Sequence, residues 1–344
     1  VMAEEFLRET VGAWPALQPV EVQSMFSNAV LPAVDGVKPV WRSGFGPRLI
    51  YIMGGKDGDG EEVSTVELYD LQNASRKQLA NMTVPRSSHS CVALDGKLYA
   101  VGGLGASGRA LDTAEVYDPQ TDDWQPLANM ATARCALGLA AVGGKIYAIG
   151  GRDDEGAALK DVEAYDPQLG SWAPVASMSE YRESPASVVL GGKIYVMGGH
   201  DPSCGAPWDT MEVYDPQVGR WQQGASMPQS LYAHAAAEMG GEIYVTGGFD
   251  WRHQGLGSVY MYDPQTDEWI ETCWDMDARQ YHASAVVGGK LYVFGGSSDE
   301  GRLSMVEVYG PYGPSLDSDG NEDSDVDSDE GRAWTRGALM AVAL

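Results

Sequence analysis

The sequence predicts an all-β array of six similar units, and three regularities in its 344 residues predict it. The first is a diglycine at Gly54-Gly55, Gly102-Gly103, Gly150-Gly151, Gly198-Gly199, Gly247-Gly248 and Gly295-Gly296, with spacings of 48, 48, 48, 49 and 48 residues. Self-similarity at such a period marks supersecondary units, none of which can bury its apolar face alone. The second is a tyrosine followed 7 residues later by a tryptophan, at Tyr117/Trp124, Tyr165/Trp172, Tyr214/Trp221 and Tyr262/Trp269. The third is a series of apolar runs of about five residues between closely spaced turn signals, which is a strand pattern.

Residues 134–172 show the elements of one unit in order. Arg134-Cys-Ala-Leu-Gly-Leu-Ala-Ala-Val142 is small and apolar, suited to a strand beside a crowded axis. Gly143-Gly144 makes a two-residue hairpin turn, where positive φ is cheap only for glycine. Lys145-Ile-Tyr-Ala-Ile149 is the second strand and ends on the diglycine at 150. A polar loop from Arg152 to Lys160 leads to the third strand, Asp161-Val-Glu-Ala-Tyr165. Asp166-Pro-Gln-Leu-Gly-Ser is a turn whose proline pre-sets φ, and Trp172 opens the fourth strand. Two large rings held at one interval across that turn predict packing between neighbouring strands or units.

Composition narrows the function. A formal net charge of -26 repels a phosphate backbone and argues against nucleic-acid binding. Part of the excess is local: Asp317, Asp319, Glu322, Asp323, Asp325, Asp327, Asp329 and Glu330 follow one another without an intervening Lys or Arg. Their Ser/Asp/Gly setting reads as a solvated insertion at about 316–332, and it lacks the glycine and glutamate register of an EF-hand. Cys91, Cys135, Cys204 and Cys273 show neither metal-ligand spacing nor a disulfide framework, which points to a reducing, cytoplasmic setting. No apolar run reaches the roughly 18 residues a membrane helix requires. Residues 1–45 carry no copy of the repeat and read as an extension, a linker or the end of an upstream domain, the first residue being Val.

A strand ending in Gly-Gly, then a Tyr, then a Trp at fixed spacing resembles the kelch repeat, over about residues 48–344. The stretches Gly46-Pro-Arg-Leu-Ile-Tyr-Ile-Met-Gly-Gly55 and Val84-Pro-Arg-Ser87 are most similar to the Kelch-like (BTB-kelch) substrate adaptors of cullin-type ubiquitin ligases, here without the BTB/BACK part. The resemblance implies a six-bladed β-propeller of four-stranded antiparallel blades over 46–344, a form that leaves only short protected edges. The first and last repeats depart from the pattern, with Arg76 and Leu316 where the others have Trp. Two closures of the ring are open. The expected one makes 336–344, which matches 134–142 in pattern, the innermost strand of the first blade. The other makes Trp334 the fourth-strand Trp of blade six, with Val40-Trp-Arg-Ser43 supplying blade one.

Strand order in such a blade puts two loop sets on one face, the fourth-to-first connections and the loops after each diglycine. The first set carries Arg86, Arg134, Arg182 and Arg279 at matching positions, with Ser230 as the exception. Recurrence favours an architectural role for them, while a cationic ring would suit an acidic ligand. The family binds partner segments on this face. The matching positions are Ser87, Cys135, Glu183, Leu231 and Gln280, and Lys56, Arg152, His200 and Phe249. Repeat-breaking aromatics add Tyr181, Tyr232, Tyr281, Trp208, Trp251 and His253, and aromatic side chains with Arg are the usual anchors of an interface. The partner-binding set is therefore Lys56, Arg86, Ser87, Arg134, Arg152, Tyr181, Arg182, His200, Tyr232, Trp251, His253, Arg279 and Tyr281.

Kelch propellers also include copper-radical oxidases and sialic acid mutarotases. Of the histidines only His89 and His282 fall at equivalent positions, and no tyrosine–cysteine constellation or Glu-x3-Asp-x3-His pattern appears. The expectation is a non-catalytic module with no cofactor or metal. It binds a short acidic peptide or protein segment and serves as substrate receptor for a cullin-type ligase; an actin-binding or scaffold protein and a mutarotase-like enzyme are the alternatives.

Overall fold

The computed structural model describes residues 49–57, 59–70, 75–287, 289–303, 306–311 and 334–336. Each repeat forms one antiparallel sheet whose strands pair in chain order from the inside outward, and six such sheets make an all-β propeller. Blade three is representative, with Gly138–Val142, Lys145–Ile149, Val162–Asp166 and Ser171–Val175 paired in that order. A further two-stranded hairpin, Ser297–Ser298 with Gly301–Arg302, lies in the last post-diglycine loop.

The second strands are buried almost throughout because both of their faces are covered. Alternation sends their side chains to two different neighbours. Ile146 and Ala148 join the apolar cluster shared with blade two, whereas Tyr147 and Ile149 join the cluster shared with blade four. Six clusters of this kind occupy the six junctions. One of them packs Ile50, Ile52 and Tyr69 of blade one against Ala283, Ala285, Val287, Tyr292, Phe294 and Val306 of blade six, so the ring closes through an apolar interface.

The Tyr–Trp pairs are cross-strand contacts with centroids 5.2, 5.2, 5.0 and 5.1 Å apart. Each indole also donates its N–H to a carbonyl of the preceding repeat, at Ala80, Ala128, Ala176 and Ala225, over 2.9, 2.9, 2.7 and 3.0 Å. The fixed interval is therefore explained by packing within and between blades.

Blade one contains Leu49–Met53, Val66–Asp70 and Ser75–Gln78 among the described residues. Blade six runs Ala283–Val287, Lys290–Phe294, Val306–Pro311 and then Trp334–Arg336. Arg336, expected to lead into a first-blade strand, pairs instead with Tyr309 in the outer strand of blade six, the place Trp holds in blades two to five. Trp334 joins the same strand two positions away, opposite Pro311. Residues 1–45, the acidic insertion and 337–344 lie outside the described residues.

Candidate functional site

The two loop sets do share one face and are stitched into it. The residue after each arginine position bridges to the residue after the diglycine: Ser87 to Leu104, Cys135 to Arg152, Glu183 to His200, Tyr232 to Phe249, and Gln280 to Ser297. The next residue along, Ser88, Ala136, Ser184, Ala233 or Tyr281, is left-handed with φ between 49° and 54°. Its N–H donates to the carbonyl of its counterpart one blade back, Ala136 to Ser88, Ser184 to Ala136, Ala233 to Ser184 and Tyr281 to Ala233. These bonds form a collar around the axis, and they hold non-glycine residues in a costly conformation.

The arginines expected as a surface ring are not on the surface. Arg86, Arg134, Arg182 and Arg279 are fully buried and paired with the buried Glu115, Glu163, Glu212 and Glu307 at 2.7, 2.8, 3.1 and 2.6 Å. Their Nη1 atoms donate to the carbonyls of Gly102, Gly150, Gly198 and Gly295, the first glycine of each following diglycine. The same carboxylates accept backbone N–H groups just before the arginine, such as Ala131 and Thr132 on Glu163. Desolvation lowers the Arg134 and Arg182 pKa against the pull of their glutamates. These four arginines therefore cannot meet a partner, and Ser87 is buried with them. The architectural reading holds, and the cationic ring that suggested an acidic ligand is absent from the surface.

The exception is also shifted by one residue. Leu231 occupies the arginine position, because its carbonyl accepts from Gly199 as that of Arg182 accepts from Gly151. The loop Gly199–Thr210 carries the extra residue that displaces the count. Tyr260 stands where the other third strands have Glu, in the same pairing register, and it joins Leu231 in one apolar cluster. The shift also makes His234 the equivalent of His89 and His282, which the sequence comparison missed. All three are fully buried against the diglycines. Burial, with the nearby Arg86 or Arg182 charge, pushes the first two imidazoles down to about 3, in His89 and His234, and pushes His282 well below its usual value.

A half-buried aromatic group stands at the mouth. Tyr232 stacks on Phe249 with centroids 5.1 Å apart, lies 5.3 Å from the His200 ring and meets His253 edge-on at 6.0 Å. Tyr281 completes the belt in T-shaped contact with Phe249 at 5.8 Å. Among the described residues Tyr281 is the one large side chain in the collar. His253 stands at φ 58°, a left-handed loop position that the other repeats fill with Gly60, Gly108, Gly156, Gly205 and Gly301. The His253 Nδ1 lies 2.8 Å from the Tyr232 hydroxyl, so the strained residue is tied into the belt. Two bulky residues at left-handed positions in one cluster mark a place where stability has been given up, a usual sign of a working site.

The polar edge of the belt is the Arg152–Glu183 pair at 3.4 Å, with the Cys135 thiol 3.8 Å from Arg152. Burial raises the Glu183 carboxyl above its ordinary range, against the pull of Arg152. Burial, then the neighbouring Tyr281, Glu183 and Asp250, pushes Tyr232 up to about 12. Burial and then Glu183 raise Tyr281, while burial and then His253 lower His200. The group holds one internal ion pair, Arg152–Glu183.

Of the expected residues, Arg152, His200, Tyr232, His253 and Tyr281 come together, joined by Glu183 and Phe249. Lys56 pairs with Glu62 at 3.2 Å, Tyr181 lies under the Lys160 ammonium at 4.8 Å, and the 58% exposed Trp251 stacks with Arg252 at 4.6 Å. Trp208 turns its indole N–H to the Tyr181 carbonyl. A separate cavity of about 240 Å³ follows the axis, lined by small apolar residues of the inner strands and by Glu238.

Fold and face together define a kelch-type propeller, a class whose members generally bind proteins or peptides. A family model described as the Attractin/LZTR1 beta-propeller matches residues 50–299, and a Kelch motif model matches residues 278–340. The chain belongs to the Attractin/LZTR1 β-propeller family. A solved structure titled "Structure of YjhT" is similar at a TM-score of 0.69 and 16% identity, covering 87% of this chain and 97% of that one, a likeness of fold. No curated protein sequence matches the chain.

Proposed function

We propose that this propeller is a non-catalytic interaction module that captures a short peptide or protein segment on its loop face. The observation that carries the reading is the aromatic belt of Tyr232, Phe249 and Tyr281, half-buried at the mouth and assembled from residues that break the repeat. Such rings supply large contact area at small entropic cost, which is how interfaces are anchored. The biological role we propose is substrate recognition for a cullin-type ubiquitin ligase in the cytoplasm. The Kelch-like resemblance of residues 46–55 and 84–87 and the free thiols of Cys91, Cys135 and Cys204 support it. An acidic ligand has lost its main support, because the four arginines are buried and neutralised.

The test is a display-library selection on the immobilised protein, followed by titration of the selected peptides. Tyr232→Ala should weaken them about tenfold, or about 1.4 kcal/mol, with the fold intact. Selection without enrichment, or turnover of a free sugar by the purified protein, would overturn the reading. Recovery of actin filaments without a cullin from cell extract would remove the ligase role alone.

A further inference from the structure

We infer that the segment bound at the mouth is basic, presenting Lys or Arg side chains to the aromatic belt. The inference rests on the loop-face reading above and fixes the chemistry of its ligand. Three observations carry it.

The rings of Tyr232, Phe249 and Tyr281 lie half-buried at the rim, and an aromatic ring attracts a guanidinium or ammonium. The residue beside each bridge on this face is repeatedly an Asp. Asp153, Asp201 and Asp250 each use Oδ1 to accept the backbone N–H two residues on, an Asx-turn that fixes the carboxylate in its loop, with Asp153 half-buried and Asp201 and Asp250 only 8% and 7% exposed. No cation among the described residues lies within ion-pair distance of these three. Hydrogen bonds from Ser203 and Cys204 hold the Asp201 carboxyl below its usual range in spite of burial.

The following cations on the same face, among the described residues, are already engaged. Arg152 is taken by Glu183, Lys56 by Glu62 and Arg109 by Asp154, while Arg252 lies over Trp251. A carboxylate-bearing segment would meet neutralised cations and carboxylates that no cation pairs among the described residues, in a chain of net charge -26. A basic segment meets complementary charge and the aromatic rings.

The experiment is a selection from a display library of random dodecamers, with the enriched peptides synthesised and titrated by fluorescence anisotropy against the full chain. Enrichment of Lys and Arg is expected, with affinity falling several-fold between low and physiological salt. Asp201→Asn and Asp250→Asn keep an oxygen that accepts the Asx-turn N–H groups but remove the charge. Each should weaken the basic peptides about threefold, and Tyr232→Ala about tenfold. Enrichment of acidic or uncharged peptides that still depend on Tyr232 would overturn the inference and leave the loop-face function standing. Basic peptides indifferent to Asp201→Asn, Asp250→Asn and Tyr232→Ala would also overturn it, as would failure to enrich any peptide, which overturns the function as well.

Discussion

The entry loops at Arg134 and at Leu231 do the same job by opposite means. At Arg134, as at Arg86, Arg182 and Arg279, a buried guanidinium reaches a buried glutamate and the carbonyl of the following diglycine. At Leu231 both charged partners are gone together, replaced by Leu and by Tyr260, whose hydroxyl donates to Gln229 over 2.9 Å. The repeat therefore needs a matched pair at this junction and does not need charge. This agrees with the general behaviour of buried ion pairs, which are costly to break and cheap to replace whole. The apolar version adjoins Tyr232, the first anchor of the aromatic belt.

The largest effect should come from breaking one pair. Arg134→Ala strands the Glu163 carboxylate and should cost about 3–5 kcal/mol, read as a lowered denaturation midpoint. Arg134→Leu with Glu163→Tyr, which copies blade five, should recover most of the loss. Equal losses in the single and double variants would show that the charge itself is required. The converse is nearly as large. Leu231→Arg matches the other repeats yet buries an unpaired cation, at a cost on the order of 3 kcal/mol, and Tyr260→Glu in the same chain should restore stability.

Acid should act next, through the histidines beneath the diglycines. His89 and His234 hold a folded pKa of about 3, below that of an unfolded histidine, so the unfolded chain takes up protons first as pH falls. Their stability contribution is complete above about pH 6.5 and is lost progressively on the way down to about 3. Between pH 6.5 and 5 each should cost about 2 kcal/mol. Thermal melts of His234→Gln against wild type check this, since the variant's midpoint should fall less steeply over that window.

The smallest effect separates the belt from the frame. His253→Gly places the residue of the other repeats at a left-handed position and should raise stability by about 0.5 kcal/mol while weakening selected peptides. A loss of stability with binding unchanged would make His253 a structural residue.

The fold was legible because its cause is periodic: diglycines, hairpin turns and the Tyr–Trp interval each recur, and each has one geometric explanation. Much of the frame could also have been read. Arg86, Arg134 and Arg182 and their glutamates lie 29, 29 and 30 residues apart, and both members disappear at Leu231 and Tyr260. Periodicity alone gives no sign of burial, so an arginine ring could be placed on the surface. Counting a strict 48 from Arg182 landed on Ser230 because a loop had grown by one residue, and that hid both Leu231 and His234. The belt was partly visible as aromatics that break the repeat. Its strained positions at His253 and Tyr281 were not, since left-handed backbone leaves no mark in a sequence when the residue is not glycine.

Because each second strand splits alternate side chains between two neighbours, a single inserted residue there would exchange the two sets and spoil both junctions. The loops after the diglycines carry no such double duty, and the one-residue excess in Gly199–Thr210 was absorbed in one of them without disturbing the pairing on either side. Those loops are the natural graft points of this molecule. New recognition sequences could be spliced there, and specificity rewritten, while the barrel of blades keeps its count.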